Sequence, residues 1–253
     1  MATVNIPADL KTVLNDAWET AQKVPGHLGE HEARLLGLFA ACVPATGTIV
    51  EIGSFKGRST VMLAKVASHY SLGPVVAIDP HNSPILLDHQ VAEAASSYPD
   101  FLNSIKAAGV FNDVEPQVAY SAQVAATWSR PIRLLWIDGD HSYEGAKQDL
   151  NGFLPHLVPS GVLAFHDALN AFPGPIRVFA EDEDVLGSDR IGSDRIDSDQ
   201  RDLFSRSPGP SFALTMVKRF VNSGRPWLAR LRVSSRLWKA ARNFTESQRD
   251  SSN

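Results

Sequence analysis

At 253 residues, 43% of them hydrophobic, the chain can bury one sizeable α/β core and still carry tails. A net charge of −4 and a pI of about 6.1 exclude a globally basic surface for nucleic acid. The single cysteine, Cys42, excludes an intrachain disulfide and fits a reducing compartment; with no signal-peptide core near the N-terminus and no apolar run near the roughly 20 residues of a membrane span, a soluble cytoplasmic protein is expected.

Leu10, Val13, Leu14, Ala17 and Ala21 recur at helical spacing across residues 8–24, and Pro25-Gly26 ends that helix. A second helix is predicted over 31–42, stopping before Pro44 and Gly47, which introduce an apolar strand over 48–52. The order then alternates: a glycine-bearing loop over 53–58, a helix over 59–69, a strand over 75–78, a helix near 101–108 and a short strand near 115–119. The strand over 133–137, a helix near 143–154, a turn at Pro159-Ser160-Gly161 and a strand over 162–165 complete it. Continuously apolar strands separated by helices imply a parallel sheet covered on both faces, and right-handed crossovers make it doubly wound. The predicted class is therefore α/β: a mostly parallel, Rossmann-like sheet with N-terminal helices and a basic helical C-terminal extension.

Beyond Asp167 the texture changes. Residues 181–202 hold nine acidic side chains against three arginines, with a near repeat of Gly-Ser-Asp-Arg-Ile starting at Gly187 and Gly192. So little apolar material cannot offset ordering entropy, and a mobile acidic insertion over 181–207 is expected. A strand over 212–217 is predicted as the last, antiparallel-type member of the sheet. From Lys218 to Arg242 there are eight Lys/Arg and no acid, with Trp227, Leu228, Leu231, Leu237 and Trp238 interspersed. This basic amphipathic tail is read as a solvated helix or a homodimer-packing arm in preference to a membrane contact, because Trp and Leu at helical spacing more often pack on protein. The resulting division is N-terminal helices and lid at 1–45, the main domain at 46–220 and the basic tail at 221–253.

Chemistry concentrates at predicted strand ends. After the first strand, Gly53 and Gly57 let the backbone approach a ligand, and helix N–H groups near Ser59 face it. The spacing is not the G-x-G-x-x-G of dinucleotide binding. Asp79 closes the next strand, where an acceptor can take both ribose hydroxyls. Asp138, Asp140 and His141 follow the fourth strand, and His166 and Asp167 follow the fifth, so the two loops can meet above the sheet. Oxygen donors with one imidazole suit Mg²⁺ or Mn²⁺ better than a closed zinc site.

Four segments, Val50-Glu-Ile-Gly-Ser-Phe-Lys-Gly-Arg-Ser-Thr60, Val76-Ala-Ile-Asp79, Ile137-Asp-Gly-Asp-His-Ser-Tyr-Glu144 and Phe165-His-Asp167, resemble class I S-adenosylmethionine (SAM)-dependent methyltransferases. The resemblance is to the group containing the macrolide-sugar (macrocin-type) O-methyltransferases and spans about residues 25–180. It implies that Glu51, Gly53, Ser54, Gly57 and Ser59 hold the methionine part of SAM, Asp79 the ribose, and Ser121 or its neighbours the adenine. It further implies a cation held by Asp138, His166 and Asp167, with His141 and Asp138 as the catalytic pair and His141 the proton acceptor. A sugar, polysaccharide or related small-molecule hydroxyl is the implied acceptor. The competing readings are an NAD- or nucleotide-binding Rossmann protein, and a non-catalytic interaction or membrane-surface protein acting through the tail. The first lacks the glycine spacing, and the second leaves the acid and histidine clusters without a use.

Overall fold

A computed structural model describes residues 6–82, 96–167, 172–181 and 216–219. Two helices, α1 (Leu10–Ala21) and α2 (Glu30–Cys42), precede the alternation β1 (Thr48–Ile52), α3 (Arg58–His69), β2 (Val75–Ile78), α4 (Tyr98–Ala107), β3 (Val114–Gln117), α5 (Ser121–Ala125), β4 (Ile132–Ile137), α6 (Tyr143–Phe153), β5 (Leu157–Phe165), α7 (Pro173–Glu181) and β6 (Met216–Arg219). The strands form one sheet in the order β3-β2-β1-β4-β5-β6. The first five run parallel, and β6 pairs antiparallel with β5 at the edge. The order reverses between β1 and β4, and in such sheets the ligand crevice opens at that point, outside the carboxyl ends of the strands.

The apolar strands lack a polar alternation because each face packs its own core. Ile49, Val75, Ala77, Leu134 and Trp136 join the core beneath α1, α2 and α3. The intervening Val50, Ile52, Val76, Ile78, Leu135 and Ile137 join a second core with Ala146, Leu150 and Phe153 of α6. Arg133 interrupts the apolar fourth strand, but its guanidinium donates to the Val43 carbonyl at 2.7 Å, tying β4 to the end of α2. On α2, a Cβ at Gly37 would press on the side-chain ends of Leu14 of α1 and Met62 of α3, so three helices close in on one point.

The strand expected over 162–165 begins earlier, at Leu157. Ile132 pairs with Leu157 and Leu134 with Val162, so the predicted turn at 159–161 is an irregularity inside β5, with Ser160 at φ 66. The last strand is antiparallel as expected and covers 216–219, two residues beyond the predicted end. The acidic stretch from 182 and the basic tail from 220 lie outside the described residues. Among the described residues no helix is long and apolar enough to cross a membrane.

Candidate active site

Parallel register carries the sheet's hydrogen-bond ladder one residue past the strand ends. Gly53 donates to the Ile78 carbonyl (2.9 Å), Asp138 to Ile52 (2.8 Å), His166 to Ile137 (2.9 Å) and Asp79 to Gln117 (3.1 Å). These backbone bonds bring the predicted polar residues to one edge, although they lie far apart in sequence.

The turn after β1 is held by sterics and by Asp79. Gly53 has φ 87, and a side chain there would overlap the Asp138 carbonyl oxygen. At this point the β1 and β4 loops meet main chain to main chain. Gly57, at φ 93, is the left-handed N-cap of α3 and donates to the Ser54 carbonyl at 2.7 Å. The Asp79 carboxylate accepts the Phe55 N–H and the His81 N–H, each at 2.7 Å. Asp79 thus braces the turn as well as facing the crevice, and its side chain is only 15% exposed. Beneath, Glu51 is fully buried. Thr60 donates to its Oε2, while Oε1 has no partner. Burial pushes its carboxyl up to about 8, against the opposing hydrogen bonds of Ser59 and Thr60. The Ser54 hydroxyl is likewise buried without a partner.

On the other side of the switch point, Asp138, His141, His166 and Asp167 offer four ligand atoms within 4.8 Å of one another. His166 Nδ1 lies 3.0 Å from Asp138 Oδ1 and 2.9 Å from Asp167 Oδ2. His141 Nε2 lies 3.3 Å from Asp167 Oδ2 and 3.7 Å from Asp138 Oδ1, contacts between charges without hydrogen-bond alignment. Asp167 has φ 56, so the chain turns sharply after β5 and two consecutive residues, His166 and Asp167, both face the cluster. Burial alone lowers both histidines, but the carboxylates outweigh it: His141 is raised to about 9, and His166 is raised further. In return both aspartates are held below the usual carboxylate range despite their burial. Concentrated carboxylate charge that retains protons on imidazoles is the electrostatic setting in which a divalent ion can replace those protons. The expected loop residue Asp140 stays out of the cluster: it is exposed and accepts the Ser142 N–H at 2.8 Å at the start of α6.

Ser121, predicted near the adenine, heads α5 and donates its hydroxyl to Asp149 of α6. Burial raises the Asp149 carboxyl to about 6. Three further residues had not been singled out from sequence. Phe172 stacks flat on His141, with ring centroids 4.1 Å apart and planes 6° from parallel. His81, at φ 53, is buried against Ser97, Tyr98 and Phe101. Glu32 of α2 reaches to 3.6 Å from His166 Nε2. Glu32 follows a Gly-x-x-Glu cap signature legible in the sequence, but only the fold reveals what lies across from it.

Residues 50–168 match the family model described as a methyltransferase domain. Among solved structures, the O-methyltransferase NovP is similar at 11% identity, covering 84% of this chain and 98% of that one, with a TM-score of 0.60. CalS11, a TDP-rhamnose 3'-O-methyltransferase of calicheamicin biosynthesis, is similar at 18% identity, covering 86% and 97%, with a TM-score of 0.50. Cofactor-bound Rv0187 from MTB is similar at 18% identity, covering 72% and 79%, with a TM-score of 0.50. At these identities the structures show a shared fold. The sheet order, the glycine turn at its switch point and the match over residues 50–168 together show that this chain carries a methyltransferase domain with a Rossmann-like fold.

Proposed function

We propose that the enzyme transfers a methyl group from SAM to a hydroxyl oxygen of a sugar, polysaccharide or related small molecule, assisted by Mg²⁺ or Mn²⁺. The observation that carries this reading is the convergence of Asp138, His141, His166 and Asp167 one backbone contact away from the glycine turn. The turn and its surroundings are the cofactor half. Glu51, Gly53, Ser54, Gly57 and Ser59 would hold the methionine part, Asp79 the ribose, and the region of Ser121 and Asp149 the adenine. Asp138, His166 and Asp167 are the cation half, and their two carboxylates and one imidazole fit a hard divalent ion.

SAM supplies an electrophilic methyl, so the protein's task is to align an acceptor oxygen and remove its proton. When bound, the cation supplies Lewis acidity to the acceptor hydroxyl and offsets the carboxylate charge that otherwise keeps His141 protonated. His141 is the proton acceptor, its ring plane held by Phe172. Vicinal hydroxyls chelate a divalent ion well, which favours a saccharide acceptor, and CalS11, a TDP-rhamnose 3'-O-methyltransferase of the same fold, is in keeping with that choice.

Removing divalent ions with EDTA should abolish methyl transfer yet leave SAM binding, measured by calorimetry, largely intact. Added Mg²⁺ or Mn²⁺ should restore turnover. His141→Ala should lower turnover by about 10²–10⁴-fold with cofactor affinity retained. Full turnover in metal-free enzyme would remove the cation from the reading, and parental turnover in folded His141→Ala would remove the base. Calorimetry with NAD in place of SAM tests the competing dinucleotide reading, for which no heat of binding is expected.

A further inference from the structure

The cation reading uses one nitrogen of His166 and leaves the other side of the ring unaccounted for. Nε2 is buried, makes no hydrogen bond and lies 3.6 Å from Glu32 Oε2. Glu32 comes from α2, outside the segment that matches the methyltransferase domain. Its Oε2 accepts the Gly29 N–H at 3.0 Å as a helix cap, while its Oε1 is buried with no partner. A capping glutamate needs no burial, since the cap forms equally well with the carboxylate in water. Withdrawing a carboxylate from solvent is unfavourable unless it is paired, and among the described residues His166 is the cationic or donor side chain paired with Glu32.

The orientation of the imidazole supplies the reason. Nδ1 faces Asp138 and Asp167, at 3.0 and 2.9 Å. An imidazole that offers its Nδ1 lone pair to a cation carries its proton on Nε2, and a buried Nε2–H needs an acceptor. We infer that Glu32 is a positioning residue that fixes His166 as an Nδ1 ligand by accepting its Nε2 proton, so that the N-terminal helices help to build the cation site. The inference rests on the divalent-cation reading above. A carboxylate behind a ligating imidazole sets its tautomer and orientation and raises its basicity, and losing such a partner typically weakens metal binding about 10–100-fold.

The test is Mn²⁺ binding to the intact protein, followed by the electron paramagnetic resonance of the free ion, which needs no turnover. Glu32→Gln keeps an oxygen for the Gly29 cap but removes the charge, whereas Glu32→Ala removes both. Mn²⁺ affinity should fall about 10-fold in Glu32→Gln and toward about 100-fold in Glu32→Ala. SAM affinity should be unchanged in both variants, and the thermal midpoint of Glu32→Gln should stay close to the parent's. Long-range ¹H–¹⁵N correlation of the Mg²⁺-loaded parent should show His166 as the Nε2–H tautomer. Parental Mn²⁺ affinity in Glu32→Gln, or an Nδ1–H tautomer in the loaded parent, would overturn the role. If Asp138→Asn loses Mn²⁺ while Glu32→Gln binds it normally, the Glu32 inference alone falls. If the parent binds no Mn²⁺, the cation reading falls and takes this inference with it.

Discussion

Glu51 is the residue whose chemistry departs furthest from its appearance in the sequence, where it reads as an acid at a strand end. Fully buried, it holds its proton up to about 8, mainly through burial. The sign of the consequence follows from proton counting. Between its ordinary value of 4.5 and about 8 the folded protein binds the extra proton, so stability falls as pH rises through that window, and the penalty is complete above it. Glu51→Gln should remove this slope. Urea midpoints of the SAM-free proteins at pH 5 and pH 8.5 should therefore diverge, the variant gaining on the parent by an amount on the order of several kcal/mol. At this scale the sequence shows which residues are chemical but not what they face. The grouping of Asp138, His141, His166 and Asp167 is legible because Asp138 and His166 directly follow apolar strands and His141 and Asp167 lie on the same two loops. Glu32 is not, because an acid in the first turn of a helix is ordinary and its partner is more than a hundred positions away. Ser121 is expected near the adenine from the resemblance, but that its hydroxyl donates to Asp149 of α6 is visible only in the fold.

Among the elements, β1 and β2 are legible to the residue, since Ile49, Val50 and Ile52 between Gly47 and Gly53, and the four apolar residues that follow Pro74, have few other ways to be buried. The shorter or less regular pieces were not. α5 has five residues and no apolar period to detect, α7 begins with Pro-Gly-Pro, and the first half of β5 is hidden behind Pro159-Ser160-Gly161. The element that decides the site is the turn joining β1 to α3. Gly53→Ala would put a Cβ against the Asp138 carbonyl at a φ that L residues avoid. A stability loss on the order of 2–4 kcal/mol is expected from urea unfolding, together with weakened SAM binding because the Ser54–Gly57 turn must shift. An alanine variant with parental stability and affinity would show that the two loops can separate without cost.

For the molecule as a whole, the N-terminal helices share a core with the sheet. Leu10, Val13, Leu14, Ala17, Trp18 and Ala21 of α1 are all buried in the cluster that also contains Ile49, Leu134 and Trp136 of the sheet. Arg58 adds ties from α3 to the Val24 and Leu28 carbonyls at 2.7 and 3.1 Å. Leu14→Ala should cost about 2–5 kcal/mol and lower one cooperative transition in scanning calorimetry. An early, separate transition would instead mark the helices as an independent unit. The main-chain contact between Gly53 and Asp138 has a further bearing on any attempt to retarget the enzyme. Because Gly53 meets Asp138 backbone to backbone, the spacing between the proposed cofactor and cation halves would be set there by main chain and could not be tuned by swapping rotamers. Near-attack geometry tolerates little error, so an engineer seeking a new acceptor should leave this pair fixed and vary the rim of the crevice instead.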